Sequence, residues 1–133
     1  MGGKDVQGLK KFDEIVEGLD NCGMVAFACQ ECKKKFRYDR MLEIEQFMLQ
    51  RGFVNCDTKN HLVGMYEMFL IIFVKAKLSK DVSKVNSTYL QKGFMGVVGN
   101  KGAIAYSFTL KNRLFNFIAV HLRHGQAKEA ERN

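Results

Sequence analysis

Apolar residues recur at Val6, Leu9, Phe12, Ile15, Val16 and Leu19, with Lys10, Lys11, Asp13, Glu14 and Glu17 between them. This near-helical spacing predicts an amphipathic helix over Asp5 to Leu19 that ends near Asp20-Asn21. Met24-Val-Ala-Phe-Ala-Cys29 is a short continuous apolar run, the pattern of a strand buried on both faces, and Gln30-Glu31 forms its polar tip. Met41, Leu42, Ile44, Phe47, Met48 and Leu49 predict a second helix from about Tyr38 to Gln50, stopped by Arg51-Gly52. Phe53-Val54-Asn55 reads as a short strand. The longest apolar run, Met68 to Val74, belongs to a long strand predicted over His61 to Lys77. In it Met65, Phe69, Ile71 and Phe73 face one way, and Tyr66, Met68, Leu70, Ile72 and Val74 largely the other. With both faces apolar, this strand is expected in the interior of a sheet.

Val82 to Tyr89 alternates loosely and predicts a further strand. It leads to glycines at 93, 96, 99 and 102 and then to two strand-like runs, Ala103 to Leu110 and Leu114 to Val120. The polar turn Lys111-Asn112-Arg113 between them makes a β-hairpin. Antiparallel strands joined by so short a turn bring their open ends together, so Asn100 and Lys101, entering the first, lie near His121, leaving the second. The glycines could cradle a phosphate with backbone N–H groups or form tight turns that deliver Lys101 to a cleft. A nucleotide P-loop is excluded, because that pattern needs Gly-Lys-Ser/Thr and here Lys101 is followed by Gly102.

The chain has 133 residues, enough for one core and too few for two ordinary domains. It carries a net charge of +7, which points to an anionic partner such as phosphate, nucleic acid or an acidic membrane surface, or simply to a solvated basic face. Lys33-Lys34-Lys35 and Arg37 read as such a face. There is no proline and no apolar run long enough to span a bilayer. Four cysteines without a signal peptide suit a reducing compartment better than a disulfide framework. Cys29-Gln-Glu-Cys32 has the spacing of redox and zinc sites, but a zinc site needs a second ligand pair at matching spacing, so free, half-buried thiols are expected.

Gly99-Asn100-Lys101-Gly102-Ala103, the hairpin, and then His121-Leu122 and Gly125 resemble the inositol polyphosphate 5-phosphatases of the endonuclease/exonuclease/phosphatase superfamily. Gly23-Met-Val-Ala-Phe-Ala-Cys-Gln30-Glu31 stands where that family has its Gln-Glu strand, and the ending Glu131-Arg132-Asn133 resembles the synaptojanin-like branch. Ala119-Val120 and Arg123-His124 depart from the family pattern around His121. The resemblance implies that Glu31 is a catalytic carboxylate holding Mg²⁺, a cation that prefers hard oxygen ligands. It implies that His121 is catalytic, contacting the phosphate or protonating the leaving alkoxide, and that Asn100, Lys101 and Gly102 bind substrate. Lys101 then serves as a point charge on a phosphorylated inositol ring.

The fold implied is α/β layered: part of a four-layer β-sandwich of the endonuclease/exonuclease/phosphatase type. Its sheet is mixed but mostly antiparallel, combining Met24 to Cys29, Met68 to Val74, Ala103 to Leu110 and Leu114 to Val120, with helices packed on it. The family's Gly-Asp-Leu-Asn and Ser-Asp-His motifs are not in residues 1–133, so the chain is expected to be part of a catalytic domain with its C-terminal part absent. The activity implied is Mg²⁺-dependent hydrolysis of the 5-phosphate of phosphoinositides or inositol polyphosphates, with little turnover by this chain alone. A cytoplasmic protein peripheral to membranes is expected, with Arg123 and His124 near acidic lipid. A nuclease of the same superfamily and a non-catalytic interaction fragment are the alternatives, with nucleic acid the disfavoured partner.

Overall fold

In the computed structural model the described residues are 17–57, 63–65, 67–94 and 98–122. Most of the helix predicted over Asp5 to Leu19 lies outside them. They begin with a 3-10 turn, Leu19–Asn21, and a strand, β1, at Met24–Cys29. Helix α1 covers Lys34–Gln50, and β2 (Phe53–Asn55), β3 (Val63–Met65) and β4 (Met68–Lys75) follow. After a 3-10 helix, Ala76–Asp81, come three longer strands: β5 (Val82–Phe94), β6 (Val98–Leu110) and β7 (Arg113–His121).

The strands form two sheets in which every pairing is antiparallel. In the first, β4 is the centre: β1 pairs along one edge, Cys29 opposite Phe69 and Met24 opposite Val74. Along the other edge β3 meets Met68 to Leu70 and β2 meets Phe73 to Lys75. The second sheet is the meander β5-β6-β7. The layered α/β class with mostly antiparallel strands therefore holds, while strands expected to share one sheet divide between two. Hydrophobic alternation reports which face of a strand is buried, not which strand lies beside it.

β4 shows how the layers are held. Its alternate side chains Phe69, Ile71 and Phe73 pack with Phe53 and with Met41, Ile44 and Met48 of α1. The others, Met68, Leu70, Ile72 and Val74, pack against Ile104, Tyr106, Phe108 and Leu110 of β6. One strand thus contributes to both hydrophobic layers, and the order through the molecule is α1, first sheet, second sheet. A hydrogen bond crosses between the sheets: Tyr106 donates to Asp57 Oδ2 at 3.1 Å, and the Asp57 N–H donates to Asn55 Oδ1 at 3.0 Å. Both Tyr106 and Asp57 are buried, so the pair satisfies polar atoms that would otherwise be costly inside the sandwich.

Boundaries and burial differ from the sequence reading in several places: β6 begins at Val98 instead of Ala103, so Gly99 and Gly102 lie in a strand and not in a loop. The long strand expected from His61 to Lys77 is two strands, with the chain reversing between Met65 and Met68, which face each other in register. Met65 consequently joins the Met68 side of the core, not the Phe69 side. β1 is not buried on both faces: Ala26 and Ala28 are exposed, and Val25, Phe27 and Cys29 are half-buried toward α1. Small residues on an edge strand leave little to cover, which an apolar run does not reveal. Helix α1 starts at Lys34, so the basic run expected to be only a solvated face is also its first turn. Its end is as read, with Gly52 at φ 76 just beyond Arg51.

Candidate active site

The two sheets meet at the end of β1, where the chain turns through Gln30 and Glu31. Glu31 has φ 59, a left-handed conformation uncommon for a side chain-bearing residue outside tight reversals. Beyond it the Cys32 N–H bonds the Glu67 carbonyl at 2.9 Å, fixing the far side of the turn to the start of β4. The Gln30 side-chain amide donates to the Val120 carbonyl, joining the edge of the first sheet to β7 of the second. The residue after Val120 is His121, which pairs with Gly102 across the β6–β7 ladder.

His121 is buried, and its Nε2 lies 2.7 Å from Lys101 Nζ and 3.7 Å from Glu31 Oε1. An ammonium has no lone pair, so in the Lys101–His121 hydrogen bond the lysine donates and Nε2 accepts. The imidazole proton then sits on Nδ1, which is buried with no hydrogen-bond partner among the described residues. A buried polar side-chain atom without a partner is uncommon in folded proteins. The Glu31 carboxylate, by contrast, is largely exposed, 78% for the side chain, at the rim.

The structure therefore brings Glu31, Lys101 and His121 together from β1, β6 and β7. Asn100 is in β6 next to Lys101, and its side chain lies outside the described residues, as do Arg123 and His124. Gly102 sits where a side chain cannot: a Cβ there would be 2.1 Å from the Leu90 carbonyl oxygen and 2.6 Å from Met65 Cε. Its geometry explains why glycine stands between Lys101 and the β5 backbone. Gln30, to which the sequence reading gave no task, is the addition; its signal was there, since it shares a dipeptide with Glu31.

A cavity of about 430 Å³ opens beside Glu31 between β1 and α1, lined by Phe27, Cys29, Cys32, Ile44, Phe47 and Phe69 among others. Burial, and then the neighbouring Cys32, push the Cys29 thiol up from its usual range. Away from this cavity, between the sheets, burial and the adjacent Asp57 raise Cys56 to about 12, and burial with the Asp57 carboxylate raises the Tyr106 phenol. Among the described residues no three His, Cys, Asp or Glu side chains cluster as a metal cage. Glu31 nonetheless fits Mg²⁺, which is commonly bound through one or two carboxylates with water and substrate phosphate completing its shell.

The fold is an α/β-layered one, an antiparallel two-sheet sandwich backed by a helix, with a carboxylate, a lysine and a histidine gathered where the sheets meet. Residues 10–133 match the model of Endonuclease/Exonuclease/phosphatase family 2, and the chain belongs to that family. It is 38% identical over 71 residues to type IV inositol polyphosphate 5-phosphatase 6 of Arabidopsis thaliana, covering 52% of this chain and 12% of that protein. It is 30% identical over 70 residues to phosphatidylinositol 3,4,5-trisphosphate 5-phosphatase 2 of Homo sapiens, covering 53% of this chain and 6% of that one. The chain thus spans a small part of these relatives' length. The resemblance read from the Gln-Glu and Asn-Lys-Gly motifs is borne out.

Among solved structures, the inositol polyphosphate 5-phosphatase domain of a synaptojanin, in complex with inositol (1,4)-bisphosphate and calcium ion, superposes with a TM-score of 0.66. The sequence identity is 21%, covering 82% of this chain and 33% of that one. A Cimex nitrophorin in its ferrous NO complex superposes almost as well, with a TM-score of 0.64 at 17% identity, covering 83% of this chain and 40% of that one. One architecture thus carries unrelated chemistries, and function has to be argued from the residues at the rim.

Proposed function

We propose that this chain supplies part of a Mg²⁺-dependent phosphomonoesterase site that removes the 5-phosphate of phosphoinositides or inositol polyphosphates. The observation that carries the reading is the meeting of Glu31, Lys101 and His121, three residues that the family motifs single out. Relatives named as inositol polyphosphate 5-phosphatases support the substrate class. Glu31 would hold the metal, which would supply Lewis-acid stabilisation of phosphoryl charge. Lys101, with Asn100 and the backbone at Gly102, holds a ring phosphate. A phosphate oxygen that takes over the Lys101 ammonium frees His121 Nε2, which then contacts the scissile phosphate or, once protonated, gives a proton to the leaving oxygen.

Phosphoryl transfer depends on positioning and charge stabilisation by groups acting as a unit, and losing one forfeits most of the effect. The Gly-Asp-Leu-Asn and Ser-Asp-His motifs of the family are not in residues 1–133, so slight turnover by these residues alone is part of the proposal. Peripheral contact with acidic membrane is part of the proposal, helped by exposed Lys33, Lys34 and Lys35 beside exposed Phe36 and Tyr38, and so is a cytoplasmic location. No helix of the described residues is long and apolar enough to cross a membrane.

The test is to give monodisperse protein Mg²⁺ with a soluble 5-phosphorylated inositol phosphate, with the phosphoinositide in vesicles, and with supercoiled DNA. Expected are Mg²⁺-assisted binding of the inositol phosphate that Lys101→Ala and Glu31→Gln weaken, little phosphate release, and intact DNA. Binding indifferent to both substitutions sinks the substrate reading. Robust release abolished by His121→Ala shows that the site is complete, and DNA nicking moves the chain to the nuclease branch.

A further inference from the structure

Cys29 and Cys32 bracket Gln30 and Glu31 in sequence, and the fold turns them toward each other. Both line the cavity between β1 and α1, and both pack against the cluster built on Met41, Ile44 and Phe69. The left-handed Glu31 reverses the chain after β1, and the Cys32–Glu67 backbone bond pins it on the far side. The two side chains consequently face one cavity from either side of a turn only two residues long. Of the other cysteines, Cys22 is exposed at the 3-10 turn and Cys56 is buried between the sheets. Only Cys29 and Cys32 share a surface, and neither has a task in the chemistry proposed for the rim.

We propose that Cys29 and Cys32 form a reversible dithiol–disulfide couple, oxidised by a hydroperoxide, whose closure displaces the intervening Gln30 and Glu31 from Val120 and His121. The couple stands by itself; its consequence for catalysis rests on the reading of Glu31 given above. In the first step one thiol gives up its proton and its sulfur attacks a peroxide oxygen. The O–O bond breaks, a sulfenic acid forms, and the released hydroxide takes the proton and leaves as water. The second thiol's sulfur then attacks the sulfenic sulfur; the S–O bond breaks, the disulfide forms and a second water leaves. Two electrons and two protons pass from the thiols to the peroxide, and a cellular dithiol reverses the change by exchange.

Closure matters because a disulfide needs its sulfurs about 2 Å apart with a fixed dihedral, a tighter demand than two thiols lining one cavity. Gln30 and Glu31 lie inside the ring that closes, whereas Cys29 is tied into the β1–β4 ladder and Cys32 to Glu67. Beyond rotation of the two cysteine side chains, the backbone of the ring adjusts through the two residues between them, so the Gln30–Val120 bond and the 3.7 Å approach of Glu31 to His121 are the contacts closure would disturb.

The experiment treats reduced protein with one equivalent of hydrogen peroxide, blocks remaining thiols with N-ethylmaleimide, and maps the proteolytic peptides by mass spectrometry without reductant. The expected product is a peptide that has lost two hydrogens within Cys29–Cys32 and carries maleimide on Cys22, restored by dithiothreitol. The His121 imidazole resonances should shift on oxidation and return on reduction, with no such shift in Cys32→Ser. Disulfides through Cys22, intermolecular dimers, or sulfinic acid at single cysteines overturn the couple. A Cys29–Cys32 disulfide that leaves the His121 resonances in place overturns its link to the rim. Neither readout uses Mg²⁺ or turnover, so failure of the phosphatase reading would leave both results interpretable.

Discussion

At position 102 a methyl group would fall 2.1 Å from the Leu90 carbonyl oxygen, so β5 closes on β6 there only because the residue is glycine. Gly102→Ala must push the strands apart, and overpacking of this kind typically costs about 1–3 kcal/mol. Urea denaturation should show that loss, and the amide resonances of Lys101 and His121 should move with it. Cys56 and Tyr106 give a second prediction. The Cys56 thiol is raised from 9.0 to about 12 in the folded state, and the Tyr106 phenol is raised above its usual range. Groups that hold their protons more tightly when folded stabilise fully below their unfolded pKa, and that stability is lost as pH rises toward the folded value. The denaturation midpoint should therefore fall as pH rises from about 9 toward 12, and Tyr106→Phe with Cys56→Ala should flatten that fall. Among the rim residues, the apolar runs put Glu31, Lys101 and His121 at or near strand ends, which is where the structure has them, while the roles given to them came only from the family resemblance. The Gln30 bond was not legible, because it joins residues ninety positions apart, and no local pattern encodes that meeting.

The strands and helices were legible to the extent that their signals are local. β2 falls on Phe53–Asn55 as read, α1 ends where Arg51-Gly52 stops it, and the two faces of β4 divide as its alternation requires. What escaped was set by partners. β3 and β4 read as one strand because Val63 to Met65 and Met68 to Lys75 share the same chemistry and the reversal between them carries neither Gly nor Pro. The β6–β7 turn is tighter than the expected Lys111-Asn112-Arg113, since Arg113 already pairs with Leu110. Lys111 and Asn112 both adopt left-handed backbone, at φ 48 and φ 64, the two-residue reversal whose twist suits a hairpin. A side chain in that region carries steric cost that glycine avoids, so Asn112→Gly should stabilise the hairpin by roughly 0.5 kcal/mol after the entropy of the unfolded glycine is counted. Thermal denaturation monitored by circular dichroism would register the gain, and a lower melting temperature would contradict the turn assignment.

For the molecule as a whole, the fold sets the distance between β1 and β7, and the rim exists because the Gln30 amide and the Lys101–His121 pair occupy the line where the two sheets meet. The superposition on a nitrophorin, nearly as close as that on a phosphatase domain, shows that the sandwich alone leaves the chemistry open. Family membership, by contrast, could be read from motifs only a few residues long, since Asn100-Lys101-Gly102 and His121-Leu122 keep their order and spacing. The position of β4 carries a further consequence. It is hydrogen-bonded along both edges, and its two rows of side chains belong to the two hydrophobic layers. Neither layer can melt while the other survives, because loosening either one releases the same strand. The described sandwich should therefore unfold as one cooperative unit, with calorimetric and van't Hoff enthalpies in agreement. In deuterium exchange the amides of Leu70 to Phe73 should be the last to open, at the free energy of global unfolding, while those of β1 and β7 open earlier by fraying from the edges.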